Sequence, residues 1–222
     1  MKILIADTET TGLTGTDEIC EVAWLEIDSD LCVVSEFQSL VKPTCPINPA
    51  ASAASHITDA MVSDAPSIEE VLAQFPEDHF ANVFLIAHNE IFDRRFLSKH
   101  WQVNGGYCTL RAAKSIYRDA PNHKLQTLRY YLGLDVDEGY HRAMADCICT
   151  YELLARILED SGMSLPDLLE TGDRPVLVEK IGFGKHRGMR LEDLPAGYRK
   201  WLLFEADIDD DLKFSLRSLE RI

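Results

Sequence analysis

The chain has 222 residues, 46% of them hydrophobic, which suffices for one large domain with a buried core and a smaller appendage. No stretch approaches the roughly 18 apolar residues of a membrane span, so we expect neither a membrane anchor nor a secretory signal. The six scattered cysteines form no CxxC pair, so we expect a reduced cytoplasmic protein without structural zinc. The formal net charge of −15 argues against broad contact with a polyanion, because nucleic-acid affinity depends largely on Lys and Arg.

The first 160 residues read as strands followed by helices. Three strand-like runs come first, "KILIAD", "ICEVAWLEID" and "VVSEFQSLV", separated by turn residues as in an antiparallel meander. The capped helix "SIEEVLAQF" precedes a fourth buried strand, "VFLIAH". Further helices are predicted at "NEIFDRRFLSKHW", "LRAAKSIY", "KLQTLRYYLGL" and "RAMADCICTYELLARILEDSG". This order predicts an α/β or α+β sheet with helices packed on it.

The pattern changes after Gly162, where a short helix and linker lead to the strand-like "VLVEKIGFG", the turn "KHRG" and two closing helices. We therefore place a main domain at residues 1–172 and a small strand–turn–helix region at residues 173–222. Charge divides in a similar way. Residues 1–173 hold 12 basic and 28 acidic residues, a net charge of −16, whereas residues 174–222 hold 10 basic and 9 acidic residues.

Two carboxylates one residue apart close the first strand. Asp7 and Glu9 lie in "DTETTGL", directly after "ILIA". Side chains two positions apart on a strand share a face, so these carboxylates project together and repel each other. Either one keeps its proton at a raised pKa, or a cation lies between them, and oxygen ligands suit Mg²⁺ or Mn²⁺ better than Zn²⁺. A solvated strand end without an ion is the alternative.

Two further acidic residues stand at predicted helix starts. Asp93 lies in "AHNEIFDRRFL" after a buried strand, and Asp146 lies in "HRAMADC" with His141 before it. Each position has a simpler explanation, since acidic residues are favourable in a helix's first turn and a histidine there can be a cap. Four carboxylates at the ends of regular elements are nevertheless able to converge on one place.

These three segments, in this order, resemble the three motifs of the DEDDh branch of the 3′–5′ exonuclease superfamily, which includes polymerase proofreading subunits and ribonuclease T. The resemblance spans residues 3–160, with the histidine five positions before the last aspartate. The tail segment "GFGKHRGMRLEDLPAGYRKWLL" is similar to the C-terminal segment of exonuclease X-type members.

The resemblance implies a ribonuclease H-like α/β fold, with a mixed five-stranded sheet flanked by helices and the first three strands antiparallel. It implies a 3′–5′ exonuclease that hydrolyses phosphodiester bonds at DNA 3′ ends, single-stranded or duplex, and releases 5′-mononucleotides in DNA repair. Repair or replication proteins are further candidate partners. An exoribonuclease or a proofreading subunit would carry the same motifs. A catalytically silent nucleic-acid-binding module is a remote alternative, because all five catalytic positions are intact.

Phosphodiester hydrolysis adds negative charge to a group that is already anionic, and two divalent ions about 3.5–4 Å apart reverse that local field. Two Mg²⁺ ions, with Mn²⁺ as a substitute, are therefore the expected cofactors. The expected ligands are Asp7, Glu9, Asp93 and Asp146, with Asp7 bridging the ions. His141 is the expected general base, because an imidazole with an unperturbed pKa near 6.5 accepts a proton around neutral pH.

The expected substrate-binding positions are Thr10, Thr11, Gly12, Leu13, His56, Asn89, Lys185 and Arg187. By the resemblance, residues 10–12 form a turn whose backbone donors approach the terminal nucleotide. Leu13 lies against its base or is an ordinary hydrophobic plug. Asn89 holds the 3′ end or caps its helix, and His56, in "SHITDAM", lies near the substrate or in a surface loop.

The tail offers a second set of candidates. Lys185 and Arg187 lie in "FGKHRGMR", where glycine turns and basic side chains suit contact with a phosphate backbone. A solvated turn on a packing domain is the alternative. Tyr198, Trp201 and Phe204, three residues apart, predict the core side of a helix rather than a stacking surface.

Overall fold

The computed structural model describes residues 1–136, 142–172 and 175–219. The strands in these ranges are β1 (Lys2–Thr10), β2 (Ile19–Ile27), β3 (Val33–Leu40), β4 (Val83–Ala87) and β5 (Val103–Cys108). They form one sheet in the order β3-β2-β1-β4-β5, in which β1, β2 and β3 are antiparallel and β4 and β5 run parallel to β1. The predicted mixed five-stranded sheet with an antiparallel start is confirmed.

Helices flank this sheet and continue into the tail. Within the described ranges they are α1 (Pro49–Ser55), α2 (Asp59–Val62), α3 (Ile68–Leu72), α4 (Glu90–Leu97), α5 (Thr109–Ile116), α6 (Leu125–Leu132), α7 (Ala143–Ser161), α8 (Leu165–Leu169), α9 (Ala196–Phe204) and α10 (Asp210–Leu219). Two single 3₁₀ turns lie at Gly184–His186 and Leu191–Asp193. Among the residues described, no helix combines the length and the apolar character that crossing a bilayer requires.

The core lies on both faces of the central strands. On β1, Leu4 and Ile5 are fully buried, because α-helices cover the sheet on each side. On one face Trp24 of β2 packs edge-on against Trp101 at 5.5 Å between ring centroids, together with Phe96 of α4. Backbone pairing with β2 on one side and β4 on the other places β1 in the middle of the sheet, together with the residues that follow its apolar stretch.

The long helix α7 covers the other face. It packs on β1 and β2, with Cys147, Leu153 and Leu154 fully buried. It ends at Gly162, whose φ of 65° places it in the left-handed region that glycine adopts easily. The predicted helix and its glycine stop are confirmed.

The fifth strand was not visible as an apolar pattern, because its sequence is "VNGGYC". Gly105 sits beside the ring of Phe84, and a Cβ at this position would come within 2.8 Å of Phe84 Cδ2. The glycine therefore reflects close packing against β4 rather than a turn.

The chain separates into two compact units. Unit 1 comprises Met1–Leu110 and Asp119–Gly172, and unit 2 comprises Arg111–Arg118 and Asp173–Ile222. Unit 2 thus includes a stretch of α5 that the predicted boundary assigned to the main domain. Within this unit Arg111 Nε and Nη2 donate to the two carboxylate oxygens of Asp211, at 2.6 and 2.7 Å.

Unit 2 has its own small core, formed by residues such as Ile181, Leu202 and Leu216. The strand predicted at "VLVEKIGFG" differs from the structure, which has only an isolated antiparallel bridge between Lys180 and Arg190 among the residues described there. The amides of residues 176 and 178 donate to the Asp211 carboxylate and the Ser215 hydroxyl instead of to a neighbouring strand. The two predicted closing helices are present as α9 and α10.

Candidate active site

Three carboxylates meet at the end of the central strand. Asp7 and Glu9 project from β1 on the same face, as the strand alternation requires, and Asp146 reaches them from the first turn of α7. Each offers an oxygen, and these three oxygens all lie within 4.8 Å of one another. All three residues are half-buried. The structure therefore brings together three of the four predicted ligands at a spacing that one or two cations would bridge.

The fourth predicted ligand, Asp93, lies beside this group. β4 runs parallel to β1, so the helix that follows it, α4, begins at the same edge of the sheet. Asp93 is 2% exposed, and its Oδ1 accepts hydrogen bonds from the Thr8 amide at 3.0 Å and the Thr8 hydroxyl at 2.8 Å. Thr8 stands between the two β1 carboxylates in sequence, so Asp93 is tied directly to the strand that carries them.

The electrostatics of the cluster favour a cation. Burial, followed by the charges of Asp93, Asp146 and Glu9, raises the pKa of Asp7 well above its usual value. Burial, followed by Asp146, raises the pKa of Glu9 to about 7. Burial also raises the pKa of Asp93 to about 7, against the Thr8 hydrogen bonds, which favour its ionised form. Without protons or cations the group is self-repelling, and its oxygen-only donor set fits a hard divalent ion such as Mg²⁺ or Mn²⁺.

Glu21, a residue that the sequence interpretation missed, supports the cluster from β2. It is paired across the strands with Glu9 and is 1% exposed. Its carboxylate accepts hydrogen bonds from Arg142 Nη2 at 2.6 Å, from Arg142 Nε at 2.9 Å and from the Ala143 amide at 3.1 Å. The available signal was a lone carboxylate within the apolar run of a strand, which requires a buried partner.

Gln126 of α6 was also missed. Its Nε2 donates a 2.7 Å hydrogen bond to Asp146 Oδ1, and its own Oε1 is buried without a hydrogen-bond partner. This bond orients the Asp146 carboxylate toward the cluster. No local pattern in "KLQTLRYYLGL" indicates that role.

The turn after β1 is held by its own side chains. Thr10 Oγ1 donates to the Gly12 carbonyl at 2.7 Å, and the Thr11 hydroxyl donates to Asp17 Oδ1 at 3.2 Å while accepting from the Glu18 amide at 3.1 Å. A Cβ at Gly12 would come 2.5 Å from Asp17 Oδ1, so a larger residue there would displace the Asp17 carboxylate. Both threonine side chains are buried, and the Thr11 amide already donates to a backbone carbonyl. These residues shape the turn, and their hydroxyls point inward.

Leu13 is presented at the tip of this turn. Its side chain is 75% exposed, which does not match a hydrophobic plug. Arg95 of α4 donates from Nη1 to the Leu13 carbonyl at 3.1 Å, and Lys99 donates to the Gly15 carbonyl at 3.0 Å. The loop is thereby fixed to the helix that carries Asp93.

Asn89 and His56 both have an unusual backbone. Asn89 occupies the N-cap position of α4, as the capping alternative predicted, with φ 81°, but its side chain makes no cap hydrogen bond. His56 ends α1 with φ 58°. Positive φ is uncommon outside glycine and concentrates at functional positions, and both residues are exposed.

The remaining predicted residues lie elsewhere. His141 lies outside the described residues, and its neighbour Arg142 is the first described residue after it. Lys185 and Arg187 are exposed residues of unit 2.

A carboxylate cluster at the end of the central strand of a ribonuclease H-like mixed sheet defines a nuclease of the class that uses divalent metal ions. The RNase T exonuclease family model matches residues 4–154 of this chain. The chain belongs to this exonuclease family, and it is a 3′–5′ exonuclease.

Similar proteins cover the chain to different extents. Exodeoxyribonuclease 10 of Escherichia coli K12 is 34% identical over 224 residues, which cover 96% of either chain. The solved structure of exonuclease X in complex with 5′ overhanging duplex DNA matches with 33% identity and a TM-score of 0.61, covering 76% of this chain and 98% of that one. The nuclease domain of 3′hExo, a DEDDh family member bound to rAMP, shares the fold at 19% identity and a TM-score of 0.56, with coverage of 72% and 92%.

Proposed function

We propose that this protein is a metal-dependent 3′–5′ exodeoxyribonuclease that releases 5′-mononucleotides from the 3′ ends of single-stranded or duplex DNA. The observation that carries this proposal is the convergence of Asp7, Glu9 and Asp146 with Asp93 beside them. DNA as the substrate is supported by the name of the 34% identical relative and by the duplex bound in the solved exonuclease X structure.

The four carboxylates are the proposed ligands of two Mg²⁺ ions, for which Mn²⁺ would substitute. Bound there, divalent ions would neutralise the carboxylates, lower the pKa of a water nucleophile and stabilise the charge on the leaving 3′ oxygen. Asp7, whose pKa is raised by burial and by the charges of Asp93, Asp146 and Glu9, is the proposed bridging ligand. Thr8 holds one oxygen of Asp93 and leaves the other for a ligand role.

His141 is the proposed general base. Its role rests on the resemblance of "HRAMADC" to the third motif, five positions before Asp146. The next residue, Arg142, is held by the buried carboxylate of Glu21, so the chain directly after the base is anchored to β2. A base that must meet water at one point requires such anchoring.

Leu13, Asn89 and His56 are the proposed contacts to the terminal nucleotide. The exposed side chain of Leu13 suits an apolar contact with a base, and the exposed Asn89 supplies an amide near the start of α4. Thr10, Thr11 and Gly12 would act through the shape of the turn.

Lys185 and Arg187 are the proposed contacts to the phosphate backbone. A repair setting, a cytoplasmic location and repair or replication proteins as partners belong to the same proposal.

The test uses a DNA and an RNA oligonucleotide of matched sequence, each labelled at its 5′ end, incubated with Mg²⁺. We expect a ladder that shortens from the 3′ side of the DNA and disappears with EDTA. Glu9→Gln should abolish it, whereas Glu36→Gln, the same change at an exposed carboxylate of β3, should not. Shortening of RNA alone would refute the DNA assignment, and full activity of Glu9→Gln would refute the ligand assignment.

A further inference from the structure

An aromatic row lies on the exposed side of α9 in unit 2. Trp201 is 43% exposed and Phe204 is 78% exposed, so the expectation that they belong to the helix core is wrong. The residues that α9 buries are Leu202 and Leu203, which belong to the apolar cluster of this unit. Two large aromatic side chains therefore stay in solvent although neighbouring positions provide the core.

Contacts between neighbouring rings hold the first part of this row together. Tyr198 stacks on Trp201 with ring centroids 5.4 Å apart and an interplanar angle of 28°. The His186 ring packs edge-on against Tyr198 at 4.6 Å, and Lys185 Nζ lies 5.6 Å from the centroid of the Tyr198 ring. Phe204 follows Trp201 by three residues, one turn along the same side of the helix.

The basic residues reach the row through a tight loop. The Ile181 amide donates to the Met189 carbonyl at 3.0 Å, and the Gly188 amide donates to the Ile181 carbonyl at 2.8 Å, which closes the loop over residues 182–187. A Cβ at Gly184, whose φ is 67°, would come 3.0 Å from the Tyr198 hydroxyl. The loop thus rests on Tyr198, the first ring of the row. We call Lys185, His186, Tyr198, Lys200, Trp201 and Phe204 together the aromatic–basic surface.

The segment that carries most of this surface is basic, whereas the chain as a whole is acidic. Residues 180–203 contain six basic and two acidic residues, a local net charge of +4 in a protein of net charge −15. Arg190 pairs with Glu192 at 2.7 Å, and Arg199 donates to the Glu192 carbonyl. Lys185 and Lys200 remain exposed beside the aromatic row. Basic side chains next to exposed aromatic rings are the combination by which proteins bind single-stranded nucleic acid.

We propose that the aromatic–basic surface binds single-stranded DNA, with bases stacked on Trp201 and Phe204 and phosphates held by Lys185 and Lys200. The choice of DNA rests on the proposed function, but the surface uses none of the catalytic carboxylates. A protein partner would bury the same rings, yet it would not by itself explain a cationic patch on an acidic chain.

Tryptophan fluorescence provides a direct test. Trp24 and Trp101 are 1% and 4% exposed, so Trp201 is the indole that a stacked base would quench. We would titrate the full chain with oligo(dT) at low salt in EDTA, where hydrolysis stops and the metal-free carboxylates repel DNA. We expect quenching, with tighter binding at lower salt.

Variants separate stacking from folding. Trp201→Phe should keep the affinity, measured by anisotropy of the labelled oligonucleotide, and lose the quenching. Trp201→Ala and Phe204→Ala should each weaken binding roughly 5- to 150-fold, the range for loss of one base–aromatic stack. Phe214→Ala, at a 39% exposed ring of α10 outside the surface, is the matched control and should bind as the unmodified chain does.

Unchanged Trp201 fluorescence on DNA addition, or equal affinity of Trp201→Ala and the unmodified chain, would overturn the proposal, and a protein partner would then be the occupant to seek. Hydrolysis of the p-nitrophenyl ester of thymidine 5′-monophosphate by the unmodified chain with Mg²⁺ tests the active site separately, since this substrate has a single nucleotide. Ester hydrolysis without quenching would refute the proposed DNA-binding surface and leave the proposed function intact. Quenching without ester hydrolysis would refute the proposed function and leave the DNA-binding surface intact.

Discussion

The buried carboxylate of Glu21 on β2 holds the guanidinium of Arg142, the residue that follows the proposed general base in the chain. Glu21 also accepts the amide of Ala143, the first residue of α7. One side chain of the central sheet therefore fixes both Arg142 and the start of the helix that carries Asp146. Its negative charge contributes to the raised pKa values of Asp7 and Glu9.

Removing Arg142 should destabilise the protein, because Glu21 is then a nearly unpaired charge in the core. We expect Arg142→Ala to lower the free energy of unfolding by about 1–3 kcal/mol, less than a fully buried pair because the Arg142 side chain is 45% exposed. Arg156→Ala breaks an exposed pair with Glu159 on the same helix and should cost under about 0.5 kcal/mol. Urea unfolding measures both, and an Arg142→Ala protein as stable as Arg156→Ala would contradict the role of Glu21.

The same variant should lose turnover more than substrate affinity. The residue that follows His141 in the chain would no longer be paired with Glu21, so we expect kcat on a DNA oligonucleotide to fall about tenfold, with KM changed less. The double variant Glu21→Gln with Arg142→Ala should recover stability, because the buried charge is gone, but not turnover. Recovery of both would mean that the pair acts on folding alone.

Part of this site could be predicted from the sequence. The shared face of Asp7 and Glu9 follows from the two-residue period of a strand. Asp93 and Asp146 are assigned to the site because their segments resemble the second and third motifs of the DEDDh branch, since a helix start alone equally explains an acidic residue. Glu21 and Gln126 required the structure, because their partners lie 121 and 20 residues away and no local period connects them.

The elements of the fold also divide into those that the sequence predicts and those that required the structure. Strands with apolar runs and the long α7 were evident, whereas β5 was not, because its glycines are selected by packing against Phe84 and not by strand propensity. The three-residue spacing of Tyr198, Trp201 and Phe204 predicted a buried helix side, and Tyr198 does pack against the apolar cluster, whereas Trp201 and Phe204 are exposed. That period identifies one side of a helix but not which side meets the core, and Leu202 and Leu203 occupy the core side of α9.

The metal-free protein should become less stable as pH rises from 5.5 to 8. Glu9 and Asp93 have pKa values raised to about 7, so the folded state keeps protons that the unfolded chain releases near pH 4 to 4.5. The free energy of unfolding that these bound protons contribute is complete below the unfolded-state pKa values and is lost as pH rises through the folded-state values near 7. We expect the Tm in EDTA to fall by several degrees over this window and Mg²⁺ to restore it at pH 8.

Glu9→Gln serves as the comparison for that experiment, since the amide resembles the protonated carboxyl at every pH. It should show a smaller fall in Tm. The comparison is needed because burial lowers the pKa of His79 and His100, and these histidines add stability as pH rises. Equal pH slopes for Glu9→Gln and the unmodified chain would contradict the raised pKa of Glu9.

Gln126 should act on metal affinity through Asp146. Gln126→Ala removes the 2.7 Å hydrogen bond to Oδ1, and loss of such an orienting partner typically costs about 10- to 100-fold in metal affinity or activity. We expect the Mg²⁺ concentration for half-maximal DNA hydrolysis to rise, with activity largely recovered at saturating Mg²⁺. Gln74→Ala, at an exposed glutamine that bonds a backbone carbonyl, should leave the Mg²⁺ dependence unchanged. Identical Mg²⁺ curves for the two variants would rule out the orienting role.

Truncation of Leu13 should change activity without changing stability, so it tests substrate contact directly. Its side chain is 75% exposed, so Leu13→Ala removes almost no packing and the Tm should stay within about 1 °C. If the side chain covers the terminal base, truncation loses roughly 1–2 kcal/mol of apolar contact, and kcat/KM on a DNA oligonucleotide should fall about 5- to 30-fold. Val34→Ala, at a 62% exposed position of β3, is the matched control and should change neither quantity.

The carbonyl of Leu13 is held by Arg95 whatever the side chain is, so the turn itself persists in the variant. A Leu13→Ala enzyme with unchanged kcat/KM would therefore show that the exposed leucine does not contact the substrate.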